Sequence, residues 1–441
     1  MTARFGRLRP LMGDLLVVDG LRILAVNVAG AGLAFLSHIL FARWLTVASY
    51  GAYVVALSWL SILFILVQAG LNVALIRLVA EARGTGGGRA TMTALLRFSN
   101  TVVLSLGVGA CIAGAVMIAL LAPPPEQARA LYGMLGLTIV LALMQQRAAV
   151  LQGLERVVPA TAVAEILRPL LLLAAVWAAG QAVRLDAGLV MALNLAATAV
   201  VLLLTMRLAR RAIAAEPLAG LPPAAGAWRG WLKISLPYVA VAGLTILLMQ
   251  MDVLMIGAIL GAEQAAIYAP AAKVALLAVF PVVAIRQRFG PQAARLFAEG
   301  GTPELQSRMT LATTLSVAAC LGAVIVIVGG REFILSLFGP AYTAGGVVVA
   351  ILSAGYLAYS VAGAAEMFFL VGPFERLNAL IVALTLALNL ALNLALIPPL
   401  GIVGAAWATV GAVVFRALAS AAIIHRRTGI LPLARAKGVR T

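Results

Sequence analysis

The sequence predicts an all-α polytopic membrane protein: twelve transmembrane helices in two six-helix bundles, related by pseudo-two-fold symmetry about the membrane normal. Hydropathy, charge distribution and an internal repeat carry that expectation. Of the 441 residues, 63% are hydrophobic and 11% charged, with a mean hydropathy of +1.09. A water-exposed globular surface cannot be built from that composition, whereas a bilayer tolerates it.

A hydrocarbon core of ~30 Å takes roughly 20 residues of helix rising ~1.5 Å each. Stretches of that kind are predicted in order at 21–42, 52–76, 98–121, 131–151, 158–179, 187–208, 234–257, 264–286, 310–329, 347–371, 376–397 and 402–424. A membrane barrel would show short alternating strands instead. The first apolar helix runs on into a second span without a small-residue cleavage site, so no removable signal peptide is expected. Cys111 and Cys320 fall inside spans and are expected to act as small apolar side chains, not as a disulfide.

The net charge of +17 raises nucleic acid as a partner, but the basic residues are scattered over short connections and no basic soluble domain is present, so none is expected. Twenty-four of the 32 Lys and Arg residues lie at the two termini and on the even-numbered connections, among them Arg77, Arg147, Arg210, Arg286 and Arg376. The other side has only Arg43, Arg129, Arg184 and Arg331. By the positive-inside rule both termini are expected to be cytoplasmic.

The polar interruption at 209–232 is rich in Arg, Ala, Pro and Gly and reads as a cytoplasmic linker. It separates an N-terminal bundle at 1–208 from a C-terminal bundle at 233–424, followed by a basic cytoplasmic tail at 425–441. Leu45–Tyr53 matches Leu260–Tyr268, and Ala197-Thr198 matches Ala408-Thr409. Each half has an even number of spans, so both enter the membrane in the same orientation, as in a parallel repeat. Two such bundles around a central space suit alternating access, and so a transporter more than a channel.

Between Ile39 and Glu81 the order is Ala42-Arg43-Trp44-Leu45, then Tyr50-Gly51-Ala52-Tyr53, then Gly70 followed by Arg77. Residues 232–277 carry Ser235-Leu236-Pro237, Asp252, and Tyr268 five residues before Lys273; residues 388–410 carry the closing run from Asn393 through Pro398, Gly401 and Gly404 to Thr409. These three segments resemble the bacterial polysaccharide flippases of O-antigen-repeat type, which form the oligosaccharide branch of the multidrug, oligosaccharidyl-lipid and polysaccharide exporter superfamily. One departure is Thr46 where the family usually has Gly, with Val47-Ala48 where Pro and an acidic residue are common. The resemblance implies translocation of an undecaprenyl-pyrophosphate-linked oligosaccharide repeat unit between leaflets of the bacterial inner membrane, for surface polysaccharide biosynthesis. A polysaccharide polymerase or glycosyltransferases are the implied partners, beside membrane lipids.

An ionised side chain at mid-bilayer costs ~2.5–3.5 kcal/mol on insertion scales, so each should face protein, water or a partner. Lys273, Arg416, Arg22 and Arg168 lie in or at the edge of spans and are cavity candidates for an anionic pyrophosphate, which Arg can fork and Lys can meet as a point charge. For Arg22, beside Asp19, ligand contact and interfacial anchoring stay open. Glu165 and Arg168 are three apart and can neutralise one another beside Pro169. Asp252, Glu366 and Glu165 are coupling candidates, for a proton or sodium ion. Asn389 and Asn393, at i and i+4, form one polar stripe that can line the cavity or join helices. His38 reads more readily as a packing residue than as a proton shuttle.

No phosphate-cradling GxxxxGK[ST] run, metal-ligand cluster or Ser/His/Asp arrangement is present in the sequence. The expectation is therefore a non-enzyme without a resident cofactor. Three rivals differ in class or cargo. A multidrug antiporter would favour an acidic cavity, a polysaccharide ligase would need a larger outer loop than 330–346, and a peptidoglycan-precursor flippase commonly has two further spans.

Overall fold

A computed structural model of the protein describes residues 8–84, 88–216, 226–299, 302–361, 366, 369 and 374–429. These residues are helical throughout, without strands, and include twelve helices long and apolar enough to cross a membrane. We number them α1 (Arg22–Trp44), α2 (Val47–Gly84), α3 (Arg89–Leu121), α4 (Pro125–Gly153), α5 (Val157–Gly180), α6 (Ala187–Ala214), α7 (Ala242–Ile259), α8 (Ala262–Phe297), α9 (Pro303–Gly329), α10 (Pro340–Ser360), α11 (Arg376–Leu400) and α12 (Ile402–Thr428). Each overlaps one predicted span; of the tenth, predicted at 347–371, the part beyond Val361 lies outside the described residues apart from Glu366 and Phe369. The end of a helix near the Arg-rich connections is called its basic end below.

The chain forms two compact units. One runs through Leu45 and again over Trp59–Ala240; the other holds Thr46–Ser58 and the chain from Val241 onward. Two of the boundaries fall inside helices, one between Ser58 and Trp59 in α2 and one between Ala240 and Val241 in the continuous helix Ala227–Ile259. That helix and Ala187–Ala214 both reach into the predicted 209–232 linker, of which 217–225 lies outside the described residues. The predicted tail is described only as far as Gly429.

In the first unit, α4 is the central element, packed along α6 and against the second half of α2 and α3. Its inner face contributes Ala142, Ala148 and Val150 to a core shared with Leu71, Leu75 and Leu95. The outward faces of α3 and α6 carry Leu120 and Leu203, 75% and 60% exposed, which water would not tolerate in such number and lipid does. Asp186 sets the start of α6: its carboxylate accepts from the Leu189 backbone N–H at 2.7 Å and pairs with Arg129 of α4 at 3.0 Å. Two long helices are broken. α2 turns at Ala69 and Gly70, both with positive φ, and α8 in the second unit has a 3₁₀ turn at Leu277–Val279.

In the second unit α12 packs against α10 and α11. The α11–α12 turn explains the closing sequence motif physically. Pro398 and Pro399 end α11, Gly401 takes φ +61°, and a Cβ on Gly404 would lie 2.1 Å from the Leu396 carbonyl oxygen. Only glycine permits that approach. It holds the first turns of α12 against the last turns of α11, and so fixes Thr409 relative to Asn393.

Candidate functional site

Four helices of the second unit bring polar residues to one level. Asp252 lies seven residues before the end of α7, Tyr268 six residues into α8, Asn393 seven before the end of α11 and Thr409 seven into α12. At ~1.5 Å per residue, all four sit about 10 Å from the end opposite the basic one. Asp252 is 8% exposed. Its Oδ2 accepts from Tyr268 Oη at 2.6 Å and from the Thr409 hydroxyl, and its Oδ1 accepts from Asn393 Nδ2 at 2.8 Å and Asn389 Nδ2 at 3.3 Å. Asn393 also donates to Asn389 Oδ1 at 3.1 Å.

Burying a carboxylate without hydrogen bonds is prohibitive, and these four donors satisfy both of its oxygens. None of them is a cation. The second amide oxygen of the stripe, Asn393 Oδ1, is buried without a partner among the described residues. One negative charge, a hydroxyl and an unused amide oxygen form a hard oxygen donor set, suited to a proton or an alkali cation and not to a thiophilic metal.

A second cluster lies towards the basic end of the same unit. Glu366 Oε2 accepts from Tyr359 Oη at 2.5 Å and from Arg286 Nη1 at 2.7 Å, while Arg416 Nε stands 2.7 Å from Oε1. The Arg416 contact is an ion pair out of line for a hydrogen bond. Arg286 also donates to Tyr359 Oη at 3.1 Å. Two guanidinium groups on one carboxylate leave a net charge of one positive unit.

The remaining sequence candidates stand apart. Lys273, 11 residues into α8, is half-buried and has no hydrogen-bond or ion-pair partner among the described residues. Arg22 is exposed on α1, and the side chain of its neighbour Asp19 lies outside the described residues. Arg168 is half-buried and Glu165 exposed, and no ion pair joins them, contrary to the expectation from their spacing. The physical reason is a π-helical turn over Val163–Leu167, which widens the helix and shifts the register that an i, i+3 pair relies on. Gly30 of α1 packs directly against this turn.

Arg286 and Tyr359 were not singled out by the sequence. Arg286 was counted with a connection, yet it sits inside α8 and reaches Glu366, 80 positions away. Its only sequence signal is a cation placed before a further helical stretch.

The sequence model of the family described as "Polysaccharide biosynthesis protein" matches residues 16–288, more than half of the chain. The chain belongs to the polysaccharide biosynthesis protein family. Comparison of this family member with curated protein sequences returns no match. Among solved structures it is similar to an inward-facing multidrug resistance MATE family transporter of the MOP superfamily, with 13% identity over 93% of this chain and 98% of the other, and a TM-score of 0.76. It is also similar to the lipid II flippase MurJ in an inward closed conformation, with 10% identity over 92% and 87% and a TM-score of 0.73. A third is a MOP superfamily transporter from Pyrococcus furiosus, described by a reversed polarity of its binding pocket, with 14% identity over 93% and 95% and a TM-score of 0.61. At these identities the likeness shows a shared fold. The family member is a multi-pass membrane protein with the fold of MOP transporters.

Proposed function

We propose that this family member is a flippase of the bacterial inner membrane, without covalent chemistry. Its cargo is an undecaprenyl-pyrophosphate-linked oligosaccharide repeat unit, moved from the cytoplasmic to the periplasmic leaflet by alternating access for surface polysaccharide biosynthesis. The family assignment supports the pathway. The observation that carries the cargo class is the positive balance within the second unit's helices: Lys273 without an acidic partner among the described residues, and the Arg286–Glu366–Arg416 network with a net positive charge. Where the dielectric is low, such charge lowers the cost of passing a pyrophosphate.

The basic helix ends then face the cytoplasm, with both termini on that side. A polymerase would consume the cargo outside and glycosyltransferases would supply it inside. Coupling falls to Asp252, whose neutral hydrogen-bonding shell leaves it free to exchange a proton or sodium ion as its surroundings open and close.

A second reading, efflux of a cationic drug, draws on Asp252 alone. The test uses reconstituted vesicles with a fluorescent pyrophosphate-linked oligosaccharide, following its exposure to an external lectin or quencher. Flipping that exceeds protein-free vesicles and is competed by unlabelled lipid-linked sugar is the expected result. Transport of an organic cation with no movement of the sugar lipid would replace the proposal with the drug reading. A periplasmic phosphatase fused after Thr441 is expected to be inactive, and an active fusion would reverse the orientation.

A further inference from the structure

Arg147 is out of place in a purely structural reading of the first unit. It lies on α4 six residues before Gly153, hence ~9 Å inside the helix, and is 6% exposed. Its Nη2 donates to Asn100 Oδ1 of α3 at 2.7 Å. Its Nη1 is buried and has no partner among the described residues, and no carboxylate there forms an ion pair with it. The charge that bears on it is Arg210 of α6, a second cation, which is itself exposed. Leu143, Ala148 and Val150 of the same helix belong to, or pack on, the apolar core beside it.

Such a group costs several kcal/mol to keep charged unless an anion meets it, and a guanidinium cannot escape by losing its proton. The Asn100 amide is neutral and Arg210 repels. No counter-charge is supplied among the described residues. We propose that Arg147 and Arg210, with Asn100 fixing the Arg147 fork, bind the phosphate of an anionic phospholipid headgroup at the basic end of α3, α4 and α6. Two guanidinium groups match the several oxygens of a phosphodiester.

The lipid source, as opposed to soluble phosphate, follows from α6. Leu203 lies seven residues before Arg210, on the same face two turns deeper into the apolar span, and is 60% exposed; Val200 continues that exposure at 56%. A headgroup at Arg210 therefore has an apolar track for its acyl chains directly below it. Basic sites at the cytoplasmic ends of membrane helices suit anionic lipids, and this end is the cytoplasmic one in the orientation proposed above.

The test measures thermal stability of the purified full-length protein in neutral detergent. Phosphatidylglycerol, phosphatidylcholine or inorganic phosphate is titrated against wild type, Arg147→Gln, Arg210→Gln and a distant control, Arg308→Gln. Phosphatidylglycerol is expected to raise the wild-type and control melting temperatures, with half-saturation moving at least about tenfold higher in Arg210→Gln, a factor of ten being ~1.4 kcal/mol. Arg147→Gln should abolish the response; if it does not fold, the exposed Arg210→Gln decides alone. An equal response to phosphatidylcholine, or an unchanged one in Arg210→Gln, overturns the proposal. Saturation by inorganic phosphate at the same concentration would reassign the site to a soluble anion and overturn the lipid source.

Discussion

Asp252→Asn is expected to cut cargo export to below about a tenth of wild type while the protein still accumulates in the membrane. The substitution keeps the shape of the side chain, so packing among α7, α8, α11 and α12 is retained. What changes is charge and hydrogen-bond direction. Tyr268 and Thr409 both donate to Oδ2, and an amide nitrogen in that place would face two hydroxyls while ending the site's single negative charge. The hydroxyls of Tyr268 and Thr409 can rotate to accept from the amide, so the fold tolerates a loss of about 1–3 kcal/mol. The charge has no such substitute.

Complementation of a flippase-null strain, with protein abundance measured alongside, checks this. Wild-type export by Asp252→Asn would remove coupling from this cluster. The ion is then separable in vesicles: a sodium gradient at fixed pH drives flipping if the donor set holds an alkali cation, and a pH gradient without sodium drives it if Asp252 carries a proton. Either drive should vanish in Asp252→Asn. A drive that survives the substitution would place coupling elsewhere, with Glu366 as the next carboxylate to test.

All twelve spans were legible because a membrane helix is written locally, as about 20 consecutive apolar residues. Contacts between spans are not. The Asn389–Asn393 stripe was visible at i and i+4, but its partner Asp252 lies 137 and 141 positions away. Arg416 has no acidic neighbour on its own helix, and only the fold brings Glu366 to it. Arg147 and Arg286 illustrate the opposite failure. A cation near the end of an apolar run contributes equally to a loop charge count whether it snorkels to the interface or turns inward. The π-helical turn at Val163–Leu167 left no mark beyond Pro169, so the sequence reading paired Glu165 with Arg168 on a regular helix.

Lys273→Glu should lower export at least tenfold, and Lys273→Arg should keep part of it. The half-buried ammonium pairs with nothing among the described residues, so reversing it orphans no protein partner and the effect reports on cargo. Arg416 needs a different design, since removing one member of a largely buried pair leaves the other uncompensated, at up to about 3–5 kcal/mol when fully desolvated. With Arg416 23% and Glu366 10% exposed, and Arg286 still in place, the cost here is smaller. Arg416→Gln is therefore expected to impair both abundance and export. Adding Glu366→Gln leaves Arg286 as a lone cation and so returns the single net positive charge of the wild-type network, which should restore much of the export per molecule of protein, with abundance measured alongside, if net positive charge is what the cargo requires. Restored abundance without restored export would mean that Arg416 meets the cargo directly. Full export by a Lys273→Glu, Arg416→Glu double variant would show that neither cation serves a pyrophosphate, and would leave both as anchors of their helices.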